Sequence, residues 1–214
     1  MESPLCPPDD PGFRLIETFR WEPGAGVIRR DRHLARLARS AARLGIVPQG
    51  AQRLLDGVTG PGPLRCRLSV DRDGKCALTT APFVPLPAGT LWQLALAGPR
   101  LHSGDPWLGV KTTQRALYDS ARANLPDGVD EMIFLNERGE LCEGTITNLF
   151  VRRRDRLLTP PLASGLLPGI LRETLLERGE AEESSLTPES LQTAKALYVG
   201  NSLRGLIRAR LAPG

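Results

Sequence analysis

Only three of the 28 basic residues are lysines, Lys75, Lys111 and Lys195, and the rest are arginines. Amines available for covalent chemistry are therefore few. Lys75 follows a turn glycine and Lys195 lies in a polar approach to the last strands, whereas Lys111 sits in GVKTTQRALYD with Leu108 and Val110 just upstream. Burial in such apolar company lowers the pKa of an amine and makes it a usable nucleophile. An exposed lysine at a strand end is the plain alternative. A carboxylate follows in ELCEGTITNLFV: read as one strand, Glu143, Thr145 and Thr147 share a face, and Cys142, Gly144 and Ile146 share the other. A solvated polar stripe would look the same.

Two more places carry polar chemistry. GLLPGILRETLL puts Pro168 and Gly169 at a helix entrance, where free backbone amides and the helix dipole suit a phosphate, although Pro-Gly also serves simply to start helices. In LYVGNSLRG, Asn201 and Ser202 follow a strand and Arg204 stands beside them. An amine, a carboxylate, an anion-binding helix start and arginines for anionic substrates are together the equipment of a pyridoxal phosphate enzyme. The carboxylate would keep the pyridine nitrogen protonated, and the lysine would alternate between Schiff base and proton shuttle.

The elements that must position these residues can be read from periodicity and turn chemistry. Phe13–Phe19 and Val27–Ile28 read as a hairpin around Pro23–Gly26, and Asp31 caps a helix with Leu34, Leu37, Ala41 and Leu44 on one side, ending at Gly45. A second helix is expected over Ala51–Val58, and a strand pair at Leu64–Val70 and Cys76–Thr80 around the Asp73-Gly74 turn. Pro82–Thr90 reads as a linker. Beyond it a strand is expected at Leu91–Leu101, a helix at Thr113–Asn124, strands at Met132–Leu135 and Leu141–Val151, a helix at Leu167–Arg178, and strands at Leu197–Gly200 and Leu206–Ala209. This order predicts an α+β fold: a small N-terminal α/β domain over residues 1–87, then a larger, β-barrel-like domain with surrounding helices over 88–214.

Composition narrows the function. With 214 residues and 41% apolar content the chain can bury a real core. No apolar run reaches the roughly 18 residues of a membrane span, and Met1–Gly12 has acids and prolines where a signal peptide would be apolar, so a cytoplasmic protein with no membrane partner is expected. Cys6, Cys66, Cys76 and Cys142 are widely spaced and His33 and His102 are the only histidines, which predicts inert thiols and no metal. A net charge of +4 and the run Arg152–Arg154 with Arg156 invite a nucleic-acid partner, but no aromatic residues interleave there to stack bases. A hairpin turn with solvated arginines is the expectation, and nucleic acid is not.

Six segments in order, ETFR (Glu17–Arg20), RHLARLARSA, VKTTQRALYD, DEMIFLNERGELCEGTITNLFV, LTPPLASGLLPGILR and YVGNSLRG, are similar to the class IV aminotransferases, the fold-type IV pyridoxal phosphate enzymes. That family includes branched-chain and D-amino acid aminotransferases and aminodeoxychorismate lyases. The resemblance runs from about Phe13 to Arg208. It implies that Lys111 bonds the cofactor, Glu143 contacts the pyridine nitrogen, and Arg36, the amides of Ile170 and Leu171, and Ser202 bind the phosphate, with Thr147 and Asn148 lining the cofactor. KTTQRALYD and NSLRG look more like the lyases than like the KxGGNY pattern of branched-chain aminotransferases. The implied reaction is conversion of 4-amino-4-deoxychorismate to 4-aminobenzoate and pyruvate for folate synthesis, with Arg115 and Arg204 on substrate carboxylates. A transaminase on the same scaffold and a catalytically silent protein are the alternatives. A homodimer is implied too. The first landmark begins at residue 17, earlier than the family resemblance leads one to expect, a departure that bears on the substrate mouth and the dimer edge.

Overall fold

The computed structural model describes residues 5–213, so Met1–Pro4 of the leading segment lie outside the described residues. Contacts divide the chain into two units. One comprises the described residues up to Pro85 together with Val110–Gln114, and the other comprises Leu86–Gly109 with those from Arg115 onward. This differs from a single cut after residue 87. The reason is backbone hydrogen bonding: Ile16 N–H donates to the Lys111 carbonyl and Thr113 N–H to the Arg14 carbonyl, each at 2.9 Å.

In the first unit, β1 (Leu15–Glu22) turns into the two-residue β2 (Gly26–Val27), followed by α1 (Arg30–Arg43), α2 (Ala51–Asp56), β3 (Leu64–Val70) and β4 (Cys76–Pro82). The sheet is antiparallel in the order β2-β1-β3-β4. Leu15, Glu17 and Phe19 are all buried, as are Cys66, Leu68 and Val70 on β3. Asp31 is not the cap of α1: Arg29 holds that place in the left-handed conformation (φ 57°), and Asp31 falls in the first turn, where its charge suits the helix dipole. The helix buries His33, Arg36, Leu37, Ser40 and Ala41. An arginine and a histidine thus join the stripe that apolar spacing alone assigns to leucine and alanine.

The second unit contains β5 (Leu91–Leu101), a 3-10 turn (Pro106–Gly109), α3 (Ala116–Ala123), β6 (Glu131–Asn136), β7 (Leu141–Gly144), β8 (Asn148–Arg153), β9 (Arg156–Thr159), a second 3-10 turn (Leu162–Ser164), α4 (Ile170–Glu177), β10 (Glu182–Glu183), α5 (Pro188–Gln192), β11 (Ala196–Asn201) and β12 (Gly205–Leu211). Its sheet runs β10-β9-β8-β11-β12-β5-β6-β7, and an additional β7–β8 pairing closes six of these strands into a barrel. Closure leaves those six strands without free edges. Alternation along the strands fills different cores: Ile133, Leu135, Leu149 and Val151 join one cluster, Phe134 and Cys142 a second, and Phe150 a third with Leu171 and Leu175 of α4. No helix among the described residues is long and apolar enough to cross a membrane.

Several expected boundaries shift by a few residues, and three differences bear on the candidate site. Lys111–Thr113 bond to the backbone of β1 and the residue before it, so α3 begins only at Ala116; Gly169 is extended (ψ 139°), so α4 begins at Ile170; and the expected strand Leu141–Val151 is broken at Thr145–Thr147. The arginine run forms a β8–β9 hairpin with Arg153 opposite Arg156 and Arg154 left-handed at φ 54°. Leu149 is fully buried between barrel strands. Leu149→Ala is expected to lower unfolding stability by about 2–5 kcal/mol, read as a drop in the denaturant midpoint.

Candidate active site

In the first unit, the chemistry-bearing residues gather on one buried acid. Arg36 grips Glu17 through two hydrogen bonds, Nε to Oε1 at 2.8 Å and Nη2 to Oε2 at 2.7 Å, and His33 Nδ1 lies 2.7 Å from the same Oε2. A carboxylate only accepts, so Nδ1 carries the hydrogen. Burial by itself raises the Glu17 carboxyl, but the Arg36 charge and the hydrogen bonds from His33 and Arg36 outweigh it and bring the pKa from 4.5 down to about 2. Burial pushes His33 below its ordinary value, with the bond to Glu17 offsetting part of the effect. Arg36 is therefore held at a fixed angle by a permanently charged partner. Lys111 lies in the same unit, its backbone carbonyl bonded to the Ile16 N–H of β1.

In the second unit, Glu143 and the residues after it do not lie along one strand. Glu143 pairs across an antiparallel ladder with Asn148, and Gly144 N–H donates to the Thr147 carbonyl at 2.8 Å, so the chain reverses between them. The cause is Glu131, whose carboxylate is fully buried. It accepts the N–H groups of Thr145 (2.9 Å) and Ile146 (3.2 Å) and the hydroxyls of Thr145 and, at 2.9 Å, Thr147. Arg122 Nη1 balances the charge from 3.6 Å. Thr145 and Thr147 consequently turn their hydroxyls to Glu131 and form no stripe with Glu143. Gly144 is dictated by the same packing, because a Cβ there would stand 2.8 Å from the Glu131 carboxylate and 2.6 Å from Thr147 Oγ1.

Glu143 and Asn148 then meet the lead-in to α4. Glu143 Oε2 accepts the Leu167 N–H at 3.2 Å, and Asn148 Nδ2 donates to the Leu167 carbonyl at 3.0 Å. A Cβ on Gly169 would lie 1.9 Å from Asn148 Oδ1, so only glycine fits at the helix entrance. The N-cap of α4 is Gly169, which has no side chain to cap the helix. Gly200 lets the end of β11 approach Leu171, where a Cβ would stand 2.7 Å from Leu171 Cδ2, and Ser202 follows, buried, in the β11–β12 turn. Asn201 ties this turn to the first by donating to the Ile146 carbonyl at 3.1 Å, and its Oδ1 accepts the Arg204 N–H at 2.9 Å. Arg115, at the start of α3, is bonded to Asp119 at 2.7 Å and to the Thr145 carbonyl at 2.8 Å. The donor set suits pyridoxal phosphate: backbone amides at a helix start and a hydroxyl for an anion, and a fixed carboxylate for a ring N–H.

Comparison with known proteins identifies the lineage. The family described as amino-transferase class IV matches residues 14–212. The chain belongs to the class IV aminotransferase family. Its members are pyridoxal phosphate-dependent enzymes. A solved structure of a proposed amino-acid aminotransferase from Mesorhizobium loti is 48% identical, covers 94% of this chain and all of that one, and superposes with a TM-score of 0.89. A proposed aminodeoxychorismate lyase from Schizosaccharomyces pombe is 27% identical over 190 residues, 84% of this chain and 82% of that protein. The aminodeoxychorismate lyase of Saccharomyces cerevisiae is 29% identical over 136 residues, 55% of this chain and 36% of the yeast protein.

Asn201 stands out in LYVGNSLRG, but the parts played by Glu17, His33, Glu131 and Tyr118 do not show in the sequence. Period-two alternation held the signal for two of them: Glu17 falls in step with Leu15 and Phe19, and Glu131 with Ile133 and Leu135. Gly144→Ala should overpack the Glu131 turn, lowering thermal stability by about 1–3 kcal/mol. Glu17 and His33 both bind protons less readily folded than unfolded, so stability should hold above the ordinary histidine value of 6.5 and fall in acid, with the Glu17 share lost from about 4.5 toward about 2. Urea midpoints measured against pH check this, and Glu17→Gln should flatten the lower limb.

Proposed function

We propose that the protein is a 4-amino-4-deoxychorismate lyase, releasing 4-aminobenzoate and pyruvate with pyridoxal phosphate as cofactor. The observation that carries this reading is the 190-residue alignment with the Schizosaccharomyces pombe relative, which runs through most of both chains. KTTQRALYD, which lacks the KxGGNY pattern, supports it. When bound, the cofactor supplies an electron sink that acidifies the C–H beside the substrate amine. Arg36, the amides of Ile170 and Leu171, and the Ser202 hydroxyl are assigned to its phosphate. Glu143 accepts the hydrogen of its ring nitrogen. Thr147 and Asn148 act by shape, the first through Glu131 and the second by seating the Leu167 peptide.

Lys111 is assigned two roles, attachment of the cofactor and proton transfer. Its Nζ takes the proton from the substrate carbon that carries the amine, the C–O bond to the side chain breaks as the ring becomes aromatic, and the enolpyruvate released takes up a proton on carbon to become pyruvate. The two arginines assigned to substrate carboxylates are Arg204 and Arg115, the latter steadied by Asp119 and the Thr145 carbonyl. A cytoplasmic homodimer completes the reading.

A second reading is an aminotransferase, with branched-chain or D-amino acids as substrates; the 48% identity to the Mesorhizobium loti structure supports the reaction type alone. Both reactions begin with the same proton transfer and differ only in the later steps. Cofactor-supplemented protein is expected to show an absorption band that Lys111→Ala abolishes, and to release 4-aminobenzoate and pyruvate from aminodeoxychorismate. Amination of 2-oxo acids without 4-aminobenzoate would replace the lyase by the aminotransferase. A protein with no band would refute both.

A further inference from the structure

We infer that Tyr118 is a positioning residue for Glu143: its phenol hydroxyl, donating to Glu143 Oε1 at 2.8 Å, fixes the plane of the carboxylate that is to face the cofactor ring. The inference rests on the proposed role of Glu143. The terminal torsion of a glutamate is broad and easily turned, so one contact does not orient its oxygens. Here two different elements hold them, Tyr118 of α3 on Oε1 and the Leu167 N–H ahead of α4 on Oε2.

Tyr118 is itself well anchored. Its ring meets Phe134 edge-on at 5.1 Å between centroids, packs against the cluster of Ala97, Leu101 and Leu166, and lies under the Arg115 guanidinium at 5.6 Å. Burial, then the neighbouring Glu143 charge, push the phenol well above its ordinary range, so it remains a donor at every working pH.

Tyr118→Phe keeps the ring and its packing and removes only the hydroxyl. The variant is expected to melt cooperatively as the parent does. Its dissociation constant for pyridoxal 5′-phosphate, measured by fluorescence quenching, should rise roughly tenfold, the scale of one hydrogen bond to a charged group, and the absorption band of the bound cofactor should shift. In a Glu143→Ala background the same substitution should change neither, because the residue through which it acts is gone. An unchanged dissociation constant in the single variant, or an equal loss in both backgrounds, would overturn the inference and leave Tyr118 as packing alone. A parent protein that binds no cofactor would overturn the reading of Glu143 first, and this inference with it.

Discussion

A single buried carboxylate organises the part of the barrel where the candidate chemistry lies. Glu131 enters at the first position of a barrel strand, fully enclosed, and a charge there must be met by hydrogen bonds or the fold loses several kcal/mol. The chain meets it by folding Thr145–Thr147 around it, two amides and two hydroxyls converging on two oxygens. That reversal is what brings Glu143 opposite Asn148. Those two side chains in turn seat the Leu167 peptide, from which α4 departs. The position of a helix start is thus set, through three links, by an acid that touches none of it.

The first unit repeats the logic with a different acid. Glu17 is buried on β1, and Arg36 and His33 of α1 converge on it. A long arginine side chain carries a large rotamer entropy, and a bidentate partner removes it before any ligand arrives. In both units, then, the residues with the most direct chemical promise are oriented by buried carboxylates that have no such promise themselves.

Residue types and spacing made much of this legible. The α+β order and most elements follow from turn chemistry and periodicity, and the six ordered segments carry the family. The features that stayed hidden have a common cause. ELCEGTITNLFV alternates as a strand should, and nothing local marks the break after Gly144; only a carboxylate more than ten residues upstream makes the reversal favourable. Tyr118 looks like one aromatic of a helix face, and its hydrogen bond is to a residue 25 positions away. The helix expected from Thr113 failed for the same reason, since Lys111–Thr113 find backbone partners on and just before β1 that the local sequence does not reveal. Long-range pairing overrides local propensity at the places where function is expected.

The five residues Val110–Gln114 make the chain pass between its two units three times, at residues 85, 109 and 114. Truncation at the proline-rich linker therefore does not yield two self-sufficient pieces. A fragment ending at Pro85 loses the backbone partners of Arg14 and Ile16, and the complementary fragment carries those partners with no strand to receive them. Separate expression of either unit would need the segment transplanted, by fusing 110–114 behind residue 85 or by permuting the chain.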